Sequence, residues 1–389
     1  MRLVSKEVFI PCTGGRPVFP GFVEYVSADG PVLIHRSGWV DASDTYDDYE
    51  DRISEDNGRT WSAPVRRKRK AVVEGGTIRY GDYGAFFDSD RGRLHTAVSK
   101  AFYPDDKPTD EHYRIEFQTY DPSSDRWSEP FATDFGFARE GVAVSFPFPI
   151  KTRTGKILIP ACKAQMDGEG KVRRYPGSEY TLFEMVTIIG GYGGAGDVSW
   201  RLGGSVGGDP EKSCRGLSES AIVELGDGRL AAVCRGSNAV WPERPGYKWL
   251  TFTEDGAETW SDPTPLLYDD GRPVPSSATG CALPRSSVTG KLYWIGNIAS
   301  DAEKVEGNWP RSPLVIAEVR EEPLAIRTDT ITVIDERGPG DSPKTQISNF
   351  RFYQDRENGN IVLFAARYGE RSAENWKDAD YYRYVVEVR

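Results

Sequence analysis

The chain is poor in the residues that build metal centres and cross-links. Its three histidines (His35, His95, His112) stand far apart, and its five cysteines (Cys12, Cys162, Cys214, Cys234, Cys281) are odd in number and form no Cys-x-x-Cys pair. Such spacing indicates neither a zinc site nor a disulfide framework, so no metal and no cofactor is expected. Cys162 in "ILIPAC" and Cys234 in "LAAVC" read as small buried hydrophobes. No run of about 18 apolar residues exists, the length that a membrane-spanning helix needs. The stretch "MRLVSKEVFIPC" lacks the apolar segment of a signal peptide. The expectation is a cytoplasmic protein with no membrane partner, or an exported one if a leader has been removed.

Positive charge is also in short supply: 49 Lys and Arg against 59 Asp and Glu leave a net charge of −10. That balance argues against a nucleic-acid partner, which selects for a basic face. The single basic run, "RRKRK" at 66–70, reads as an exposed hairpin edge. The glycine-rich "GGYGGAGD" at 190–197 leads into "VSW" rather than a helix, so it is neither a phosphate loop nor a dinucleotide fingerprint.

What is abundant is turn chemistry. Forty-one glycines, 26 prolines and a 12% aromatic content, with only 38% apolar residues, suit many short strands. Six times an apolar or alternating run meets a glycine-containing turn and then a second β-rich run, as in "FVEYVSADGPVLIHR" and "AIVELGDGRLAAVCR". The turn glycines are Gly30, Gly92, Gly155, Gly228, Gly290 and Gly359, at steps of 62, 63, 73, 62 and 69 residues. A third β-rich run follows most hairpins ("RIEFQTYD", "YKWLTFTED", "YYRYVVEV"). Repeats of three strands with room for a fourth predict an all-β, six-bladed propeller of four-stranded antiparallel blades occupying residues 1–389 as a single domain. The lone strand "RLVSKEVFI" is expected to pair beside the last one and close the ring.

A second repeated element lies after the third strands: "SEDNGRTW" (54–61), "TEDGAETW" (253–260) and, more weakly, "YDPSSDRW" (120–127). A carboxylate that caps backbone N–H groups, a glycine for positive φ and a tryptophan that packs between strands make a folding device rather than an active site. The first of these resembles the Asp-box, Ser-x-Asp-x-Gly-x-Thr-Trp, of the sialidase (neuraminidase) superfamily of six-bladed propellers, and the second resembles a degenerate copy. Within that resemblance, Glu219 and Arg235, sixteen residues apart on either side of a hairpin, are similar to the glutamate that polarises the nucleophile and to a carboxylate-binding arginine. It implies Arg311 in "NWPRSPLVI" as a second such arginine, and Asp44 or Asp47 in "SGWVDASDTYDD" as the acid/base.

Two positions depart from the family pattern. "VFPGF" carries Pro20 where a first triad arginine belongs, and "TQISNFRFYQD" offers Gln346, Ser348 or Asn349 where a nucleophilic tyrosine belongs, with Tyr353 further along. In a propeller, functional side chains gather at one mouth of the central channel. The second strands of five repeats end on Arg36, Lys100, Lys163, Arg235 and Arg367, with Asn297 in the remaining one. A ring of cations in an acidic protein points to an anionic ligand. Inner-strand starts add Arg79, Asp82, Tyr80, Tyr83 and Glu140, and His35 next to Arg36 is a further possible donor. The implied activity is an exo-acting glycoside hydrolase of a terminal acidic sugar, sialic acid or a related ulosonic or uronic acid. The alternatives are an exo-arabinanase-like glycosidase or lyase of plant or algal polysaccharide, and a non-catalytic carbohydrate-binding propeller.

Overall fold

The β-rich runs on either side of each turn pair as antiparallel strands in the computed structural model of the protein, which describes residues 1–40, 45–109, 113–133, 135, 141–193, 197–300 and 304–388, the side chain of residue 82 excepted. Asp44, Glu140 and His112, and the side chain of Asp82, lie outside the described residues. Among the described residues the strands fall into six hydrogen-bonded antiparallel sheets in a β-propeller arrangement. In chain order, the first sheet holds Val18–Tyr25, Leu33–Trp39, Asp48–Ser54 and Val65–Lys68, and the fourth holds Ser218–Glu224, Leu230–Arg235, Lys248–Thr253 and Thr264–Pro265. The sixth holds Phe350–Gln354, Ile361–Ala366, Tyr381–Glu387 and, as its outermost member, Arg2–Ile10. Arg2 pairs with Glu387 and Ile10 with Tyr381, so the first strand does lie beside the last. Val65–Lys68, which contains most of the basic run, is an exposed edge strand, as its composition predicts.

The regularity expected from the turn spacing fails in three sheets. The second has six strands, Ala71–Val73 pairing on the far side of Gly76–Asp88. In the third, the inner strand is reduced to Val142–Ala143 and Ile150–Lys151, both pairing with Ile157–Ala164. In the fifth, the run "ALPRSS" makes only isolated bridges, Ala282 to Ile295 and Arg285 to Leu292. Both interruptions contain proline, Pro147 and Pro149 in one and Pro284 in the other. Proline removes a ladder donor and fixes φ, which breaks a strand that must be hydrogen-bonded.

Apolar side chains fill the seams between successive sheets. Phe117, Val142, Ile157 and Ile188 join the second to the third, Leu158, Met185, Ile222 and Ala232 the third to the fourth, and Val233, Leu250, Trp294 and Val315 the fourth to the fifth. Tyr293, Ile316, Phe350 and Leu363 join the fifth to the sixth, and Phe22, Leu33, Tyr83 and Phe364 run through the sixth, first and second. Among the described residues no helix is long and apolar enough to cross a membrane.

The turns at 54–61 and 253–260 are built alike. Asp56 accepts hydrogen bonds from the backbone N–H groups of Arg59 and Thr60 (3.1 and 2.8 Å) and from the Thr60 and Ser54 hydroxyls. Asp255 accepts from the N–H groups of Glu258 and Thr259 (2.9 and 3.0 Å) and from the hydroxyls of Thr259 and Thr253. Two successive residues are left-handed in each: Asn57 and Gly58 at φ 63° and 78°, Gly256 and Ala257 at 75° and 73°. The glycine that comes one place early in the second turn therefore changes which of two equivalent positions is relieved, not the shape. Trp61 seals the seam between the first and sixth sheets, edge-on to Phe9, His35 and Phe364. The turn at 120–127 differs, because its acceptor is Asp121, which takes the Ser123 N–H at 2.9 Å.

Two outcomes follow for these turns. Gly256→Ala, whose added methyl meets only the flexible end of Lys156, should cost about 1–2 kcal/mol from the left-handed backbone alone. Gly58→Ala, whose methyl collides with the Tyr353 hydroxyl, should cost more, and urea unfolding of both variants checks the order. The Asp56 carboxyl is held down at about 2, first by the Thr60 hydroxyl and N–H. Its contribution to stability is complete above the ordinary carboxylate value of about 3.9 and is lost as pH falls through about 2. Asp56→Asn should accordingly lower the melting temperature at pH 6 and narrow its gap to wild type at pH 2.

Candidate functional site

Hairpin geometry brings Glu219 and Arg235 together. Ser218 lies opposite Arg235, and a β-bulge between Ser218 and Ala221 re-aims the intervening Glu219, which takes a positive φ of 39°. Bulges of this kind redirect a side chain at a cost, and a non-glycine residue held at positive φ needs surroundings that impose it. The Arg235 guanidinium donates through Nη1 to Glu219 Oε1 and through Nη2 to Asn308 Oδ1 at 3.1 Å. Arg311 reaches the same place from the loop before the strand Leu314–Glu321 of the fifth sheet. It donates to the Asn308 carbonyl (3.2 Å), the Gln346 side-chain carbonyl (2.8 Å) and the Ala278 carbonyl (3.3 Å).

These groups line one wall of a cavity of about 310 Å³. Phe19, Pro20, Thr45, Ser99, Tyr113, Phe146, Cys162, Phe183, Thr279 and Asn349 complete much of the rest. Phe146, in the proline-broken inner strand of the third sheet, is a second residue of the wall at positive φ, 51°. Two arginines that the sequence reading missed also line it, Arg215 and Arg351. Arg351 is buried, donates through Nε to the Gly21 carbonyl at 2.7 Å and through Nη1 to the Phe350 carbonyl at 2.9 Å, and lies over the Phe146 ring. It thus arrives beside Pro20 from the sixth sheet, where the first triad arginine had been sought on the first. Arg215 lies over the rings of Tyr180 and Phe183. Among the described residues of the wall, Glu219 is the one carboxylate against four guanidinium groups, so the cavity suits an anion.

The other predicted cations go elsewhere. Arg36 is buried, forks onto Asp51 at 2.7 and 2.8 Å, and lies over the Tyr49 ring. Arg79 binds Asp47 and forks onto Asp106 at 2.9 and 3.0 Å, which places the candidate acid Asp47 in a buried ion-pair cluster with Lys70, off the cavity wall. Lys163 pairs with Glu184 at 3.1 Å and Lys100 with Glu116 at 2.7 Å. Arg367 joins Asp335, Asp341 and Glu370. The reason is the two-residue alternation of a strand: Ser99 and Cys162 face the cavity, so Lys100 and Lys163 face away. His35 is enclosed by the rings of Phe9, Trp61, Phe364 and Tyr381, and burial pushes it down to about 3, so it is a neutral core residue and not a substrate donor. Tyr80 and Tyr83 are also buried off this wall.

Of the residues at the expected nucleophile position, Asn349 lines the cavity and Gln346 is the partner of Arg311. Tyr353 lines a separate cavity of about 860 Å³ near the hairpin turns. Tyr113 is the one phenol among the described residues of the 310 Å³ cavity, and its hydroxyl lies 3.2 Å from that of Tyr103. Arg351 shared a detectable signal with Glu219, a charged residue at an inner-strand start. Arg215 sits in a loop and carried none.

No family model and no curated protein matches the sequence. Solved structures do match the fold. A protein of unknown function from Dyadobacter fermentans superposes with a TM-score of 0.67 at 12% identity, over 100% of this chain and 99% of that one. The intramolecular trans-sialidase from Ruminococcus gnavus gives 0.61 at 12% identity, over 100% and 99%. The Trypanosoma rangeli sialidase, solved in complex with sialic acid, gives 0.59 at 11% identity, over 98% of this chain and 58% of that one. The fold is therefore that of a sialidase-like propeller.

Strain at Glu219 has a measurable consequence. Glu219→Gly and Glu219→Ala both remove the carboxylate, but only glycine relieves the positive φ. The glycine variant should be the more stable by about 1 kcal/mol in urea unfolding.

Proposed function

We propose that the chain is an exo-acting glycoside hydrolase of the sialidase superfamily, with residues 1–389 forming one six-bladed propeller and the turns at 54–61 and 253–260 serving as its Asp-boxes. The substrate class is a glycan ending in an acidic sugar, sialic acid or a related ulosonic or uronic acid. One observation carries the reading: Glu219 touches Arg235 on the wall of a cavity that also holds Arg215, Arg311 and Arg351. In this proposal Arg235 and Arg311, oriented by Asn308, fork onto the substrate carboxylate, and Arg351 supplies the third cation in place of the arginine missing at Pro20. Glu219 polarises the nucleophile. Asp44, which precedes the wall residue Thr45 in sequence, is the proposed acid for the leaving group, Asp47 being occupied by Arg79.

A second reading is favoured by the ion pair itself. A glutamate already neutralised by Arg235, with no other carboxylate among the described wall residues, also suits a protein that binds an acidic sugar without cleaving it. Kinetics on 4-methylumbelliferyl glycosides separate the two. Glu219→Gln should lower turnover by a factor on the order of 100 or more. Arg235→Lys should raise KM and cut kcat/KM for an acidic sugar while affecting a neutral arabinoside less, because lysine loses the planar fork. Equal losses on both sugars would remove the anionic substrate, and glycan binding without turnover in the wild type would leave a binding protein.

A further inference from the structure

Beneath the arginine wall lies a charged group that the proposed chemistry does not use. Lys248 begins the third strand of the fourth sheet, directly opposite Arg235, and is completely buried. Its ammonium is enclosed by three oxygens: it donates to the Ser277 carbonyl (3.1 Å), the Thr279 hydroxyl (3.0 Å) and the Thr279 carbonyl. An ammonium has three protons to give, so the cage is matched to the charged form.

The residues in this cage belong to the turn that orients the site. Between Ser277 and Thr279, the Ala278 carbonyl accepts from Arg311 Nη2, and the Ala278 N–H donates to the Gly307 carbonyl at 2.8 Å. Gly307 precedes Asn308, whose side chain holds Arg235 and whose carbonyl holds Arg311. Thr279 itself lines the cavity. One buried cation thus fixes a turn that Arg311 touches directly and that reaches Arg235 through Gly307 and Asn308.

The geometry points to Lys248 as the positioning residue of the anion site, whose protonated form holds the Ser277–Thr279 turn and through it Arg311 and Asn308. The inference rests on the reading of Arg235 and Arg311 as carboxylate ligands and adds a control on their placement. The ionisable groups facing Lys248 are Arg235 and Arg311, which repel its charge, and Glu219 and the thiols of Cys281 and Cys234, which favour it when ionised. Burial is the largest influence and brings the ammonium down to about 8. Above that pH the neutral amine keeps two protons for the two carbonyls and accepts from the Thr279 hydroxyl, so the charge-assisted hold on the turn is lost and the turn loosens. The sign of the global effect is opposite. Between about 8 and the ordinary lysine value of about 10.4 the folded chain binds fewer protons than the unfolded one, so this group adds stability as pH rises. Alkaline loss of ligand binding from this cause is therefore not unfolding.

Two measurements test this. Carbon-detected NMR of the arginine Cζ–Nε groups, without ligand, should show Arg311 shifting with a midpoint near 8. The shift should disappear in Lys248→Met, and its midpoint should move down in Thr279→Val, which removes one acceptor and preserves shape. Calorimetric titration with free N-acetylneuraminic acid should show affinity falling on the order of tenfold from pH 6.5 to 9.5, with Lys248→Met already weakened at pH 6.5 and flat across the range. An Arg311 signal that ignores pH, or that shifts equally in folded Lys248→Met, overturns the role of Lys248. If Arg311 tracks Lys248 while N-acetylneuraminic acid binds at neither pH, the positioning role stands and the sialic-acid reading falls.

Discussion

Every other feature depends on how these sheets bury two apolar faces. A strand such as Ile361–Ala366 is covered on both sides, and so is Leu292–Asn297, because each sheet lies between two neighbours. Antiparallel sheets whose two faces both need covering are accommodated by radial repetition about an axis. The arrangement gathers the inner strands around one axis, where side chains of different sheets meet. Chemistry is displaced to the strand ends, where backbone pairing stops and side chains can converge without opening the seams.

At the 310 Å³ mouth the departures from regular structure coincide with the departures from ordinary residue choice. The bulge at Glu219 and the left-handed Phe146 both interrupt pairing around the same space. Each interruption costs local stability, and each supplies either a redirected side chain or room. The guanidinium groups around it are held by carbonyl and amide oxygens as well as by Glu219, which keeps most of their charge directed at the cavity. Carbonyl oxygens orient a guanidinium without neutralising it, whereas the carboxylates around Arg36, Arg79 and Arg367 do neutralise theirs.

This contrast explains what could be read in advance. Hairpins and third strands were legible because turn glycines and alternation are local signals: the third run of the fourth repeat is a strand at Lys248–Thr253 and that of the last is Tyr381–Glu387. The Glu219–Arg235 pair was legible through the family resemblance, which sets a glutamate sixteen residues before an arginine across a hairpin, whereas the bulge that brings Glu219 onto Arg235 was not. Nor was facing. A one-residue displacement reverses a strand side chain, and Ser99 and Cys162, one residue before Lys100 and Lys163, are the ones that face the cavity. Lys100 and Lys163 were therefore placed at the right height and on the wrong side. Arg351 was hidden differently, since it fills from the sixth sheet a place that the family pattern assigns to the first.

The pairing of Arg2–Ile10 with Tyr381–Glu387 also has a kinetic meaning. The Arg2 side chain donates to Glu387 across 385 positions, so the last sheet is completed by two strands that lie very far apart in the sequence. Such contacts come late in folding, after the entropy of closing a very long loop has been met. During synthesis the ribosome releases five sheets' worth of chain before the sixth can exist. Until Tyr381–Glu387 emerges and captures the waiting first strand, the nascent molecule is an open arc with bare edges, and the time it spends so is when it is most exposed to pairing with a neighbour.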